Sequence, residues 1–282
     1  MPPLSILLMV LMLSRAPAPE VPAAAQVPGD ARLEDLLERL ARVSELYRDA
    51  ALRFSCEETI TDSGLGGGTS RFDYIYVFDP RDGFKDYRTR KVRGRLRRVT
   101  LEKSRVPRFL SQAYSWAFVF AAARQRLHRY EILGEDTVLG RTALRLRFEP
   151  IPPYWEELNS WFGTAWIDRE TSQLLRVEAM RPDQRAEQGR LEADLAGGLV
   201  WSGLRRYLIE RVSTDFTVEK NGMRFPAKVV IEMTRHVVRS RDTGRTSKVS
   251  PVYRVEQTYD HYQFFSVRTQ EEIRDMISGA PR

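Results

Sequence analysis

Eight consecutive residues, Trp116 to Ala123 (WAFVFAAA), are apolar around every side of a helix. A helix lying on a surface keeps a polar face, so this one has to be enclosed by the rest of the chain. The enclosure is made of strands. On both sides of the segment apolar residues recur with a period of two, the strand period. Phe54–Asp62 (FSCEETITD) and Phe72–Phe78 (FDYIYVF) show it first, the latter with Phe72, Tyr74, Tyr76 and Phe78 on one face. The helix spans Ser104–Tyr130, with a stripe of Phe109, Ala113, Trp116, Phe120 and Leu127.

Other elements follow from the same two periods. Leu33–Leu52 is an amphipathic helix with Asp30 as its cap. Phe84–Leu101 holds two strands divided near Gly94. Tyr130–Asp136 and Thr142–Glu149 flank a Leu139-Gly140 turn. Gly163–Asp168 and Gln173–Met180 form a hairpin around Asp168-Arg169-Glu170-Thr171. Arg181–Gly203 is polar and broken at Gly197-Gly198. Leu204–Glu219 and Met223–Thr234 are long strands joined by Asn221-Gly222, a strong hairpin signal. Pro226 makes the start of the second an edge or a bulge. Val252–Phe265 is a last strand, and Thr269–Ile277 a short closing helix. The fold class is α+β: about ten or eleven strands in a strongly curved antiparallel sheet, with an N-terminal helix and an internal helical lid.

The first residues read as an address. Leu4–Leu13 is ten residues dominated by long apolar side chains, about 15 Å as a helix and too short to span a membrane. Ala23-Ala24-Ala25 follows as a cleavage pattern. Residues 1–25 are a signal peptide, 26–31 a linker and 32–282 one domain, placing the mature chain in the periplasm or outside the cell. An uncleaved N-terminal anchor is the alternative. Export changes the meaning of the charge. The net +7, from 39 Arg and 6 Lys against 38 acidic residues, resembles a nucleic-acid binder, but an exported protein does not meet nucleic acid.

Signals for catalysis are poor. His128, His236 and His261 lack metal-ligand spacing. The single cysteine, Cys56, excludes an intrachain disulfide and a Cys-rich zinc site. Gly64–Gly68 is a hairpin turn without the Lys-Ser/Thr of a phosphate loop. Adjacent carboxylates at Glu57-Glu58 and Glu156-Glu157 point to opposite faces of a strand and cannot act jointly. The reading is a non-enzyme without metal or cofactor.

Two features point to binding. Arg88–Arg98 (RTRKVRGRLRR) holds seven cations in eleven residues. On one strand Lys91, Arg93, Arg95 and Arg97 share a face, a ridge for an anionic membrane surface or an acidic partner protein. A solvated edge strand guarded by charge is the plain alternative. The second feature is aromatic. A curved sheet with an apolar concave face needs a helix or a ligand in its hollow. Tyr74, Tyr76, Trp116, Phe118, Phe120 and Trp166 are the candidate ligand-lining residues.

Three local patterns carry a family resemblance. They are the opening helix running into Phe54-Ser55-Cys56-Glu57-Glu58, the hairpin from Gly163-Thr164-Ala165-Trp166-Ile167-Asp168 to Gln173–Glu178, and the ending Tyr259–Val267. Together with the order of elements they resemble the bacterial outer-membrane lipoprotein carrier superfamily, the LolA- and LolB-type proteins, over about residues 32–268. The resemblance implies an incomplete β-barrel that binds acyl chains under a helical lid, without chemistry or cofactor. The expected function is carriage of a lipid, a lipoprotein acyl chain or another hydrophobic ligand in the cell envelope. A scaffolding envelope protein with a self-filled core, or a hydrolase on the same scaffold, are the rivals.

Overall fold

Leu36, Leu40, Val43 and Leu46 fall on one side of helix α1 (Ala31–Leu46), and all four are buried. Its outer side is tied by i,i+4 ion pairs, Arg39–Asp35 at 3.0 Å and Arg42–Glu38 at 2.6 Å. The computed structural model describes residues 31–48, 53–64, 67–79, 83–92, 95–99, 113–153, 160–196, 203–241 and 244–264. The signal peptide, the Asp30 cap and the Thr269–Ile277 helix expected from the sequence lie outside these residues. Ala31–Arg282 is a compact unit.

Strands β1 (Arg53–Ser63), β2 (Gly68–Asp79), β3 (Gly83–Val92) and β4 (Arg95–Val99) form a meander. A 3-10 helix, Ala113–Phe120, and the single turn α2 (Ala122–Gln125) interrupt it. Next come β5 (His128–Val138), β6 (Arg141–Pro150), β7 (Phe162–Asp168) and β8 (Leu174–Met180). Helix α3 (Pro182–Leu195) leads to β9 (Gly203–Asp215), β10 (Val218–Lys220), β11 (Met223–Phe225), β12 (Lys228–Arg241) and β13 (Gly244–Phe264). Eleven strands make one sheet in the order β4-β3-β2-β1-β13-β12-β9-β8-β7-β6-β5, and every neighbouring pair is antiparallel. The sheet is an incomplete barrel, with β4 and β5 at its two edges.

The turns have local chemical causes. Asp168 ends β7, and its carboxylate accepts from the backbone N–H groups of Glu170 and Thr171 at 2.9 and 3.1 Å, an Asx-type turn. Arg141 closes on the same carboxylate. Gly163 faces the Phe148 ring so closely that a Cβ would sit 2.5 Å from it, so no larger residue fits there. Asn221 and Gly222 both have positive φ, 52° and 75°, as a two-residue hairpin requires.

Three expectations are corrected. The polar stretch after Arg181 is largely helix, α3: Pro182 sits at its first turn, where a missing N–H costs nothing, with Asp183 beside it. Asn221-Gly222 does not join the two long strands directly. It closes the small β10–β11 hairpin, a separate two-stranded sheet, while β9 and β12 pair from Asp215↔Lys228 onward. The lid is a 3-10 helix where an α-helix was expected, and Ala122 and Ala123 at its end are exposed.

Candidate functional site

The concave face is built from inward-pointing positions of the strands. Phe54 on β1, Phe72, Tyr74 and Tyr76 on β2, and Tyr259 and Tyr262 on β13 are all buried there. Alternation puts them on one side: each is two residues from the next on its strand, except across β13, where a register shift intervenes near Asp260. From above, α1 adds Leu36, Leu40, Val43 and Leu46, and Tyr47 just beyond it donates to the Arg224 carbonyl. The lid adds Ala113, Tyr114, Trp116, Ala117 and Phe120. Tyr114 is the hub. Its ring lies 4.6 Å from Phe54, 4.9 Å from Tyr76, 5.9 Å from Tyr74 and 5.8 Å from Tyr259.

One charged group sits inside this apolar layer. Glu58 and Arg88 are both buried and form a two-bond ion pair, with Arg88 Nη2 donating to Glu58 Oε1 at 2.8 Å. Gln257 donates to Glu58 at 3.2 Å, and the guanidinium lies 4.7 Å over the Tyr74 ring. Burial by itself lowers the Arg88 pKa. The hydrogen bonds and charge of Glu58 more than reverse this and raise it above the ordinary value. Cys56 lies nearby, 3.8 Å from the Tyr114 hydroxyl, and burial pushes its thiol up to about 12. Burial also holds the Tyr114, Tyr259 and Tyr262 hydroxyls well above the usual tyrosine range.

The lid is fastened mostly by packing. Trp116 Nε1 donates to the Thr214 hydroxyl at 2.9 Å, and the Trp161 ring stands edge-on to it at 5.1 Å. Tyr130 donates to the Val119 carbonyl at 2.7 Å. Gln125 donates to the Leu37 and Phe120 carbonyls at 2.6 and 2.9 Å, linking lid and α1. Phe118, Val119, Leu33, Leu37 and Ile132 are only half-buried and rim this end of the core.

The structure brings five of the six expected lining residues together. Tyr74, Tyr76, Trp116 and Phe120 are buried in one cluster, and Phe118 packs against it. Trp166 is elsewhere. Ala165 and Ile167 point into the core, so Trp166 between them points to the opposite face, against Val138, Ala143 and Leu175. There its indole donates to Asp136 at 3.1 Å, and this bond lowers the Asp136 pKa. Of the four expected docking cations, Arg93 lies outside the described residues. β3 and β4 are antiparallel neighbours, so the cations do not share one continuous strand: Lys91 pairs with Leu96, while Arg97 pairs with Arg90 and Arg95 with Val92. Arg95 and Arg97 thus share the pleat phase of Arg88 and Arg90, and Lys91 has the other.

Residues that the sequence reading passed over also build the site. Tyr47, Tyr114 and Phe225 are fully buried in it, and Glu58 and Arg88 supply its charge. Phe225 lies 4.7 Å from Phe264 and 5.5 Å from Tyr262, so the β10–β11 hairpin plugs one end of the core. Its Asn-Gly turn was the available signal.

An open groove of about 520 Å³ lies on the other face, between α3 and strands β6 to β9 and β12. It is polar, lined by Arg147, Arg185 and Arg211 with Glu149, Glu178, Glu192 and Glu232, and none of the expected aromatic residues line it. Among the described residues no group of three or more His, Cys, Asp or Glu is placed to hold a metal ion. His128 Nδ1 lies 3.1 Å from the Arg124 carbonyl, His236 Nε2 lies 3.0 Å from the Thr234 hydroxyl, and His261 is exposed. No helix among the described residues is long and apolar enough to cross a membrane.

No family model matches the chain, and no curated protein matches it. Solved structures do. An outer membrane lipoprotein-sorting protein domain from Vibrio parahaemolyticus is 13% identical, with a TM-score of 0.41 over 85% of this chain and 96% of that one. A DUF1329 family protein from Desulfovibrio piger is 12% identical, with a TM-score of 0.43 over 85% and 96%. A LolA superfamily protein from Nitrosomonas europaea is 10% identical, with a TM-score of 0.37 over 83% and 94%. One of these similar structures carries the name of the superfamily that the sequence resembles.

Proposed function

We propose that the mature chain is a non-catalytic carrier of a lipid or another hydrophobic ligand in the cell envelope, with its ligand taken up between the concave face and the lid. One observation carries the reading: a sheet face made of aromatic and aliphatic side chains is covered by an eight-residue apolar 3-10 helix. Such helices rarely exceed three or four residues, and their hydrogen-bond geometry is poor. The backbone of this cover gives little of its own stability, so lifting it costs mainly its apolar contacts, which an acyl chain can replace at about 0.8 kcal/mol per buried CH₂. The Tyr74, Tyr76, Trp116, Phe118 and Phe120 side chains are the lining, with Trp116, Phe118 and Phe120 moving with the lid.

Protein purified without detergent is expected to carry extractable lipid by mass spectrometry. It should also bind a fluorescent fatty acid with a saturable change in Trp116 emission, lost in Trp116→Phe while binding persists. A second reading has its own support, because Tyr74, Tyr76, Tyr114 and Phe120 already fill the concave face. A scaffold with a self-filled core carries no lipid and binds no fatty acid, and that pair of results overturns the carrier.

A further inference from the structure

Strands β9, β12 and β13 run on together past the rest of the sheet. The last pair between β1 and β13 is Ser63↔Arg254, so among the described residues β13 before Arg254 pairs with β12 alone. A register shift marks the departure, with Met233 opposite Tyr253 and Thr234 opposite Pro251. Gly64 packs against it: with φ +145°, a Cβ there would meet Tyr253 Cα at 3.0 Å.

The two faces of this three-stranded ribbon differ. One is covered by α3, whose Leu191 packs on Tyr207, Ile209 and Val238. The other continues the inner face of the sheet, in phase with Val212 and Ile231, and none of the described residues covers it. Cross-strand register sets out its rows. Leu204 stands opposite Arg239, and Arg239 opposite Thr246. Arg206 stands opposite Val237, and Val237 opposite Lys248. Leu208 stands opposite Arg235, and Arg235 opposite Ser250. Apolar and cationic side chains alternate like a checkerboard.

Leu204 and Leu208 are 45% and 43% exposed, among the most exposed large apolar side chains described. The four cations between them are exposed, and none of the nine positions is Asp or Glu. Elsewhere on the same strands the cations are answered: Arg205 by Asp194, Arg254 by Glu232 and Lys228 by Glu256. The nearest carboxylate on this face, Glu210 in the next row, is taken up by the Tyr253 hydroxyl. Strands β1 and β3 also end toward this end of the ladder, where Arg90, exposed, pairs with Arg97.

We infer that this ribbon face docks on an anionic phospholipid bilayer. The arginines and the lysine meet lipid phosphates, and Leu204 and Leu208 enter the acyl boundary. Two exposed leucines set among four exposed cations suit a surface of mobile headgroups. An acidic protein would instead need matched carboxylates and a cleft for each leucine. The inference stands on this surface alone and does not depend on a ligand in the hollow.

The test is flotation of the mature protein with vesicles of phosphatidylglycerol mixed with phosphatidylcholine, and with phosphatidylcholine alone. Binding is expected to the anionic vesicles only and to fall with added salt. Each of Arg206→Gln, Arg235→Gln, Arg239→Gln and Lys248→Gln should weaken it about fivefold, while Arg129→Gln on β5 should not. Leu204→Ser with Leu208→Ser should weaken binding without changing its salt dependence. All are surface positions, and unchanged circular dichroism confirms the fold. No binding to anionic vesicles, or full binding by the quadruple Gln variant, overturns the proposal. Fatty-acid binding retained by that variant separates docking from carriage.

Discussion

Glu58 and Arg88 show what a single buried charge demands of its surroundings. Both leave water for a layer of tyrosines, and each answers the other with two hydrogen bonds. Removing one partner, by Glu58→Gln or Arg88→Met, should cost about 3–5 kcal/mol. Replacing both, by Glu58→Leu with Arg88→Met, should recover most of that, because the pair itself contributes little net stability. Urea unfolding of the four proteins measures the coupling. Arg88 could not be told from its neighbours in the sequence, where it reads as one cation in a run of seven. Its partner lies thirty residues away, and strand alternation says which residues share a face, not which face is inside. Titration of the same layer gives a second outcome. The Cys56 thiol and the Tyr47, Tyr114, Tyr259 and Tyr262 hydroxyls are raised by burial, so all stay neutral in the folded chain. The unfolded chain ionises first. Their stability is therefore complete below the ordinary thiol range and is lost as pH rises through the raised values. Urea midpoints should be level near neutrality and fall above about pH 8.5, and Cys56→Ala should move that onset toward about pH 10.

At the scale of elements, strands were legible and polar helices were not. β1, β2, β6, β7 and β8 follow the period-two runs closely, because each presents a buried face and a wetter one. Helix α3 has Leu191 buried near its end and otherwise a polar sequence, so periodicity had little to find. Its job explains this composition. β8 ends at Met180, and α3 then covers the edge of β9 that β8 leaves open. Gln184 accepts a hydrogen bond from the Glu210 backbone N–H at 2.9 Å, and Asp194 takes up Arg205 at 2.9 Å and the Tyr207 hydroxyl. A helix that guards an edge through polar side chains leaves a weak hydrophobic signature. Gln184→Ala should speed hydrogen exchange at the Glu210 amide while the urea midpoint stays nearly constant. Leu191→Ala, which opens a cavity beneath the helix, should cost about 2–4 kcal/mol globally. The β10–β11 hairpin was legible as a turn and not as an element, since Pro226 and the Phe216 bend that detach it act through the tertiary fold.

At the scale of the whole molecule, the enclosed apolar segment forced the right architecture from the sequence, a curved sheet with a lid. How full the hollow is was not legible, because filling depends on which of many aromatic residues meet from distant strands. The strand order has one more consequence. Among the described residues the first four strands join the other seven through a single seam, β1 against β13, and β13 is the last of these strands to be synthesised. Until residues 244–264 emerge, β1 has no partner on that side, and the aromatic layer it shares with β13 cannot form. β1 to β4 and β5 to β9 can pair with their neighbours as they are made, but the two blocks cannot join from the N-terminus onward. The free edge of β1 has to be kept from edge-to-edge pairing until β13 completes the sheet from its middle.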